Sequence, residues 1–141
     1  MDGHHTIGMV ADIILNSDPA GAAARQLLGT NLSEAAVWTD CAKGICRRPL
    51  TSDERTYVEQ NLQHKEYHYT DVPIQQNAYQ PGTAGTRNDD VVQIINQAVG
   101  VLRGTPSNQG AAVLDRKSAL WVLHRSRSKF CRGRPGREIS L

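Results

Sequence analysis

Aromatic residues are scarce in this chain: one Phe, two Trp and four Tyr make up 5% of its 141 residues. The apolar share, 39%, is also low, so the chain fits a single domain with a modest core. No apolar run is long enough to cross a bilayer, and no membrane partner is expected. No apolar leader opens the sequence either. Met1 runs straight into Asp2-Gly3-His4-His5, so a secretory signal is not expected at this end, and the compartment stays open. A net charge is nearly absent: 16 basic and 14 acidic residues give +2, which selects no class of partner. The distribution is less even. Residues 125–141 hold five Arg and one Lys against one Glu, a net +5, which leaves the remainder at −3. Cysteine is few and odd in number. The spacing of Cys41 and Cys46 can close a small loop, but three free thiols with Cys131 fit the count equally well. There is no internal repeat.

What is present is helical periodicity. Ile7, Val10, Ala11, Ile14 and Leu15 recur at the helical period within a stretch from Thr6 to Leu28, which Pro19 must start or break. Gly29 suits its stop. Asn31 and Glu34 have capping-box spacing and open a helix through Ala35, Ala36, Val37, Trp38 and Asp40, ended by Gly44. Thr51 and Glu54 form a second such box, before Tyr57, Val58 and Leu62. Residues 67–72, Tyr-His-Tyr-Thr-Asp-Val, read as extended chain or loop, and Pro73 to Gly85 as loop. Asp89 and Asp90 then lead an apolar helix stopped by Gly104, with acid at the positive end of its dipole. A last helix begins at Asp115 and its pattern stops after His124. The Arg/Ser/Gly/Pro composition of 125–141 presents no apolar face and argues for disorder. The expected architecture is all-α, a helical domain over 1–124 followed by a basic tail over 125–141.

The polar candidates for chemistry are His4, His5, Asp12, Asp40, His64, His68, Asp71 and His124. Zinc takes imidazole nitrogen and carboxylate oxygen, and a hydrolytic site keeps an open position for water. No tight His-Glu-x-x-His pair is present. From spacing alone, helix caps and solvated side chains account for these residues as well as a metal site does.

Several segments, taken together and in order, resemble the single-strand-specific zinc nucleases of fungi, plants and bacteria. Gly3-His4-His5-Thr6-Ile7-Gly8 is similar to their Gly-His-x-x-Ile/Val-Ala/Gly start. Ala36-Val37-Trp38-Thr39-Asp40-Cys41-Ala42-Lys43-Gly44 is similar to their Trp-Ala-Asp segment in its bacterial form. Tyr67-His68-Tyr69-Thr70-Asp71-Val72 is similar to their His-Tyr/Phe-x-Asn/Asp segment. Gly85–Val92 and Arg116–Leu123 resemble the helices that follow, so the likeness spans residues 2–123. It implies an α-helical bundle of the zinc nuclease and phospholipase C type, zinc as cofactor, single-stranded nucleic acid as substrate, and a monomer.

The resemblance also assigns roles. Asp40 and His68 match two ligands of one zinc in a close pair, and His4 matches a ligand of the other. Two such metals can hold a hydroxide and clamp both oxygens of an in-line displacement. Lys43, one turn after Asp40, matches a basic residue that offsets charge on the transition-state phosphoryl group. Tyr69 and Asp71 match positions that stack on a base and bond its edge, which requires an unstacked base. Plainer roles stand beside these. Trp38 is core whatever the function, Lys43 suits a helix C-terminus by charge alone, Tyr69 can serve packing, and His5 is a bystander to His4 or trades places with it.

The chain departs from the family pattern at both ends. In register with His4, the Trp whose α-amine binds zinc would lie before Met1. After Leu-Trp-Val-Leu the family continues with His-x-x-Gly-Asp-x-His-Gln-Pro-Leu-His, where this chain has His124-Arg125-Ser126-Arg127-Ser128-Lys129. His124 stands in for the first His, and the bridging Asp has no counterpart. The expectation is therefore an incomplete copy with a divergent tail, binding zinc weakly and with negligible nuclease activity; the alternatives are a catalytically dead helical fragment with a residual metal site, or a small nucleic-acid-binding protein using its basic tail.

Overall fold

The structure, a computed structural model, describes residues 2–46, 48–72, 78–105 and 110–130. Its elements are α1 (Asp2–Ile14), α2 (Pro19–Leu28), α3 (Leu32–Ala42), α4 (Ser52–Gln60), a 3-10 turn at Glu66–His68, α5 (Val91–Arg103) and α6 (Arg116–Phe130), with no strand among the described residues. The all-α reading holds.

Local chemistry explains the boundaries. Pro19 sits in the first turn of α2, where its missing N–H costs nothing, and Asp18 caps that helix by accepting from Ala20 N at 2.7 Å. The stretch from Thr6 to Leu28 is thus two helices, the first of which begins earlier, at Asp2. Asn31 caps α3 by accepting from Glu34 N at 2.8 Å. The return half of that box is not made by Glu34, which faces His5 instead at 3.5 Å. Thr51 and Glu54 do form the full reciprocal box. Asp115 and Ser118 form another: Ser118 N donates to the Asp115 carboxylate at 2.7 Å, and Asp115 N donates to Ser118 Oγ at 3.0 Å. Segment 67–72, expected to be extended or loop, enters through the 3-10 turn and only then extends.

Helix α3 is the axis of the fold. Every residue of it except Glu34 is buried, as a helix with apolar residues on most of its faces requires. It packs against α1, α4 and α6, while α5 lies on α6. Trp38 is buried and stacks on Trp121 of α6 at 3.8 Å between centroids, with Tyr57 of α4 edge-on at 4.8 Å. Both Trp and Tyr57 therefore form one knot at the centre, and Trp38 is core as expected. Ile94, Ala98, Ala119 and Val122 close the other side.

Helix α1 is joined to α3 polarly as well as by packing. Asp12 accepts from Ser33 N at 3.1 Å, satisfying an orphan amide at the start of α3, and faces Arg25 at 3.4 Å. The aliphatic stripe of α1 is only half covered. Ile7, Val10 and Ile14 line an apolar cavity of about 450 Å3 with Leu120, Leu123 and His124, and Ile14 remains 70% exposed.

Helix α6 runs on to Phe130, past the point where its apolar pattern ends at His124. The tail over 125–141 is thus helical at its start. Arg, Lys and Ser carry little or moderate helix penalty, and extending a formed helix is far easier than nucleating one. Residues 131–141 and Pro73–Asn77 of the loop lie outside the described residues. No described helix is long and apolar enough to cross a membrane.

Candidate functional site

Asp40 stands in the last turn of α3 and is buried. A carboxylate there is expensive unless it is paired. Its partner comes from the first turn of α1: His4 Nδ1 lies 3.2 Å from Asp40 Oδ2, with both side chains largely buried. The two residues are distant in sequence and meet because α1 packs along α3.

The end of α3 turns the chain sharply beside this pair. Gly44 takes a left-handed conformation (φ 82°), Gly44 N donates to Cys41 O at 2.8 Å, and Ile45 N donates to Asp40 O at 3.0 Å. This is the paired 5→2 and 6→1 pattern of a Schellman stop. A disulfide joins Cys41 to Cys46 across the same turn, so two of the three cysteines are paired. Lys43, the cap residue between them, reaches Tyr69: its Nζ is 3.2 Å from the phenol oxygen and 4.7 Å from the ring centroid. A cation over a tyrosine face is attracted by the ring quadrupole.

The 3-10 turn places His68 inside and Tyr69 outside. His68 is buried, whereas Tyr69 is 55% exposed, their rings edge-on at 6.3 Å. Asp71 is exposed at its side chain and fixed at its backbone, where Asp71 N donates to Gly85 O at 3.0 Å. The contacts thus run in pairs, His4 with Asp40, Lys43 with Tyr69 and Tyr69 with His68, and Asp71 follows two residues beyond Tyr69.

The remaining candidates lie elsewhere. His124 Nε2 sits 2.8 Å from the carbonyl of Leu32, at the opposite end of α3 from Asp40. His5 faces Glu34 at the surface, Asp12 serves the α1–α3 junction, and His64 is buried edge-on to Tyr57 at 5.8 Å. Sequence reasoning assigned no role to Tyr79 or Arg48. Tyr79 bonds Asp90 at the start of α5, and Arg48 grips the buried Glu54 through two contacts of 2.7 Å. Neither had a local signal, since each sits in irregular chain and its partner is fixed by the fold.

Imidazole and carboxylate are the donors zinc takes, and His4 with Asp40 fits part of such a site. Among the described residues no group of three or more His, Cys, Asp or Glu side chains is gathered to hold a metal. The pair thus falls short of the roughly three or four protein ligands of a zinc site.

Comparison of this chain with models of known families, with curated proteins and with solved structures gives no match in any of the three.

Proposed function

We propose that the chain carries part of a phosphodiesterase site for single-stranded nucleic acid, of the zinc-dependent single-strand nuclease type. The observation that supports this best is the contact of His4 with Asp40 one turn from the Lys43–Tyr69 pair. Those two contacts link the three stretches that resemble the family in sequence. In this reading His4, Asp40 and His68 are the metal ligands. His124, committed to the Leu32 carbonyl on another part of α3, is a weaker fourth candidate.

Bound zinc would supply an activated water at neutral pH. The chain's own residues do the rest. Lys43, whose Nζ lies 3.2 Å from the Tyr69 phenol oxygen, offers a cation to a phosphate. The exposed Tyr69 ring offers a stacking surface to a base that is free of its neighbours. Asp71 offers acceptor oxygens to the amino groups of such a base.

A second reading, in which the chain retains a residual metal site and binds nucleic acid without cutting it, rests on the sequence after Leu123, where His124-Arg125-Ser126-Arg127-Ser128-Lys129 offers no bridging acid. Elemental analysis of the purified chain, with hydrolysis of single-stranded DNA measured with and without chelator, decides between them. Chelator-sensitive hydrolysis supports the enzyme, and bound zinc without hydrolysis the residual site. A chain that takes up no zinc and cuts nothing ends the metal reading.

A further inference from the structure

Asp90 is 1% exposed and accepts from five donors, one of them Thr70 in the segment that carries Tyr69 and Asp71. Its two oxygens are used differently. Oδ1 accepts from Val92 N at 3.0 Å and Gln93 N at 3.1 Å, which caps α5. Oδ2 accepts from Thr70 Oγ1 at 3.2 Å and Arg87 N at 3.1 Å, which ties α5 to chain outside the helix. The Tyr79 hydroxyl lies against both, at 3.1 and 2.9 Å, and is itself held by Gln93 Nε2 at 2.9 Å. Either side of Thr70 the backbone is tied too: Val91 N donates to Tyr69 O at 3.2 Å, and Asp71 N to Gly85 O at 3.0 Å.

We infer that Asp90 is the positioning residue for the base-binding segment Tyr69–Asp71, with one carboxylate oxygen capping α5 and the other holding Thr70. The inference rests on the proposed role of Tyr69 as a stacking platform. A half-exposed ring gains little from packing, so its usefulness depends on a backbone fixed beforehand. Burial pushes the Asp90 carboxyl up, but the bonds from Arg87, Gln93, Tyr79 and Thr70 outweigh it and hold it below the ordinary carboxylate value. It is an ionised acceptor at neutral pH.

The division of labour makes the test selective. Asp90→Asn keeps an oxygen for the cap, since Asn caps as well as Asp, but sets an amide donor against the Arg87 N–H and replaces the charge-assisted bond from Thr70 by a weaker neutral one. Thr70→Val removes the same tie from its other end. The whole chain and both variants are titrated with a labelled single-stranded oligothymidylate and with an abasic oligomer of equal length. Each variant should weaken oligothymidylate binding about tenfold, the worth of a stacked base, and leave the abasic oligomer within about twofold. Equal loss on both oligomers would overturn the inference, because a general defect of the fold has no reason to spare phosphates.

Amide hydrogen exchange gives a reading independent of binding. Asp71 and Val91 should lose protection in both variants while Ala98, inside α5, keeps it. Unchanged protection at Asp71 and Val91 refutes the tie. If the unaltered chain binds neither oligomer, the single-strand reading fails, and the exchange result still decides whether Asp90 holds the segment.

Discussion

Gly8 of α1 lies against the backbone of Leu32 and Ser33 at the start of α3, so closely that a Cβ on it would stand 2.5 Å from the Leu32 carbonyl oxygen. That contact sets the separation of the two helices one turn from His4. It is why an imidazole at the chain's beginning can reach a carboxylate at the other end of α3. Gly8→Ala must push α1 outward against rigid backbone. Overpacking of this kind costs about 1–3 kcal/mol. Urea denaturation should show that loss, and the His4–Asp40 contact should open, seen as a loss of the close approach of the two side chains by NMR. A variant as stable as the parent would mean that the helices are not in contact there.

Glu54 is fully buried and held by two contacts of 2.7 Å from Arg48 and by Thr51. Burial pushes its carboxyl up, but the bonds from Arg48 and Thr51 outweigh burial and hold it below the ordinary value of 4.5. A lowered folded-state value means that the stabilisation is present above pH 4.5 and is lost as the pH falls below it. Arg48→Met strands a charge in the interior. Because Arg48 is 45% exposed, the expected loss is discounted to about 2–3 kcal/mol at neutral pH. The variant should also reverse the slope near pH 5, gaining relative stability on acidification as the unpaired carboxyl takes up a proton. Parallel pH profiles for the two proteins would contradict this account.

The Cys41–Cys46 bridge closes a short loop over Lys43 and Gly44. Closing a loop of this size is worth about 2 kcal/mol in the chain-entropy view. Thermal melting with and without reductant should differ by a few degrees, and Cys46→Ser should melt like the reduced chain. The backbone bonds of the turn remain in both, so Lys43 should still meet Tyr69. A reductant that changes nothing would mean that the two sulfurs are unpaired.

Gly85 approaches the Asp71 carbonyl too closely for any side chain and holds φ at 82°. Gly85→Ala therefore meets both a clash and an unfavourable backbone region. The cost, about 1–3 kcal/mol, should fall on the 69–71 segment first. Exchange of the Asp71 amide should accelerate more than that of Ala98, and uniform acceleration would argue against a local tie.

Much of the fold was legible from local chemistry. The caps at Asn31, Thr51 and Asp115, the break at Pro19 and the stops at Gly29 and Gly104 are short-range events, written in residues a few positions apart. The same locality explains why the last helix was read short. Periodicity marks where a helix presents an apolar face, not where its backbone bonds end, and α6 continues to Phe130 past the end of its apolar pattern at His124.

The amino-acid sequence by itself determined which residues could do chemistry, and the order of the helices that bear them. Only the tertiary structure decided which of them meet. It joined His4 to Asp40 and Lys43 to Tyr69, sent His124 to the Leu32 carbonyl, and made Asp90 a junction rather than a cap alone. The reason is physical. A cap or a turn is fixed by neighbours along the chain, whereas a side-chain meeting depends on how closely two helices approach. Here that approach is set by a glycine in one helix and bare backbone in the other, and no spacing in the sequence encodes it.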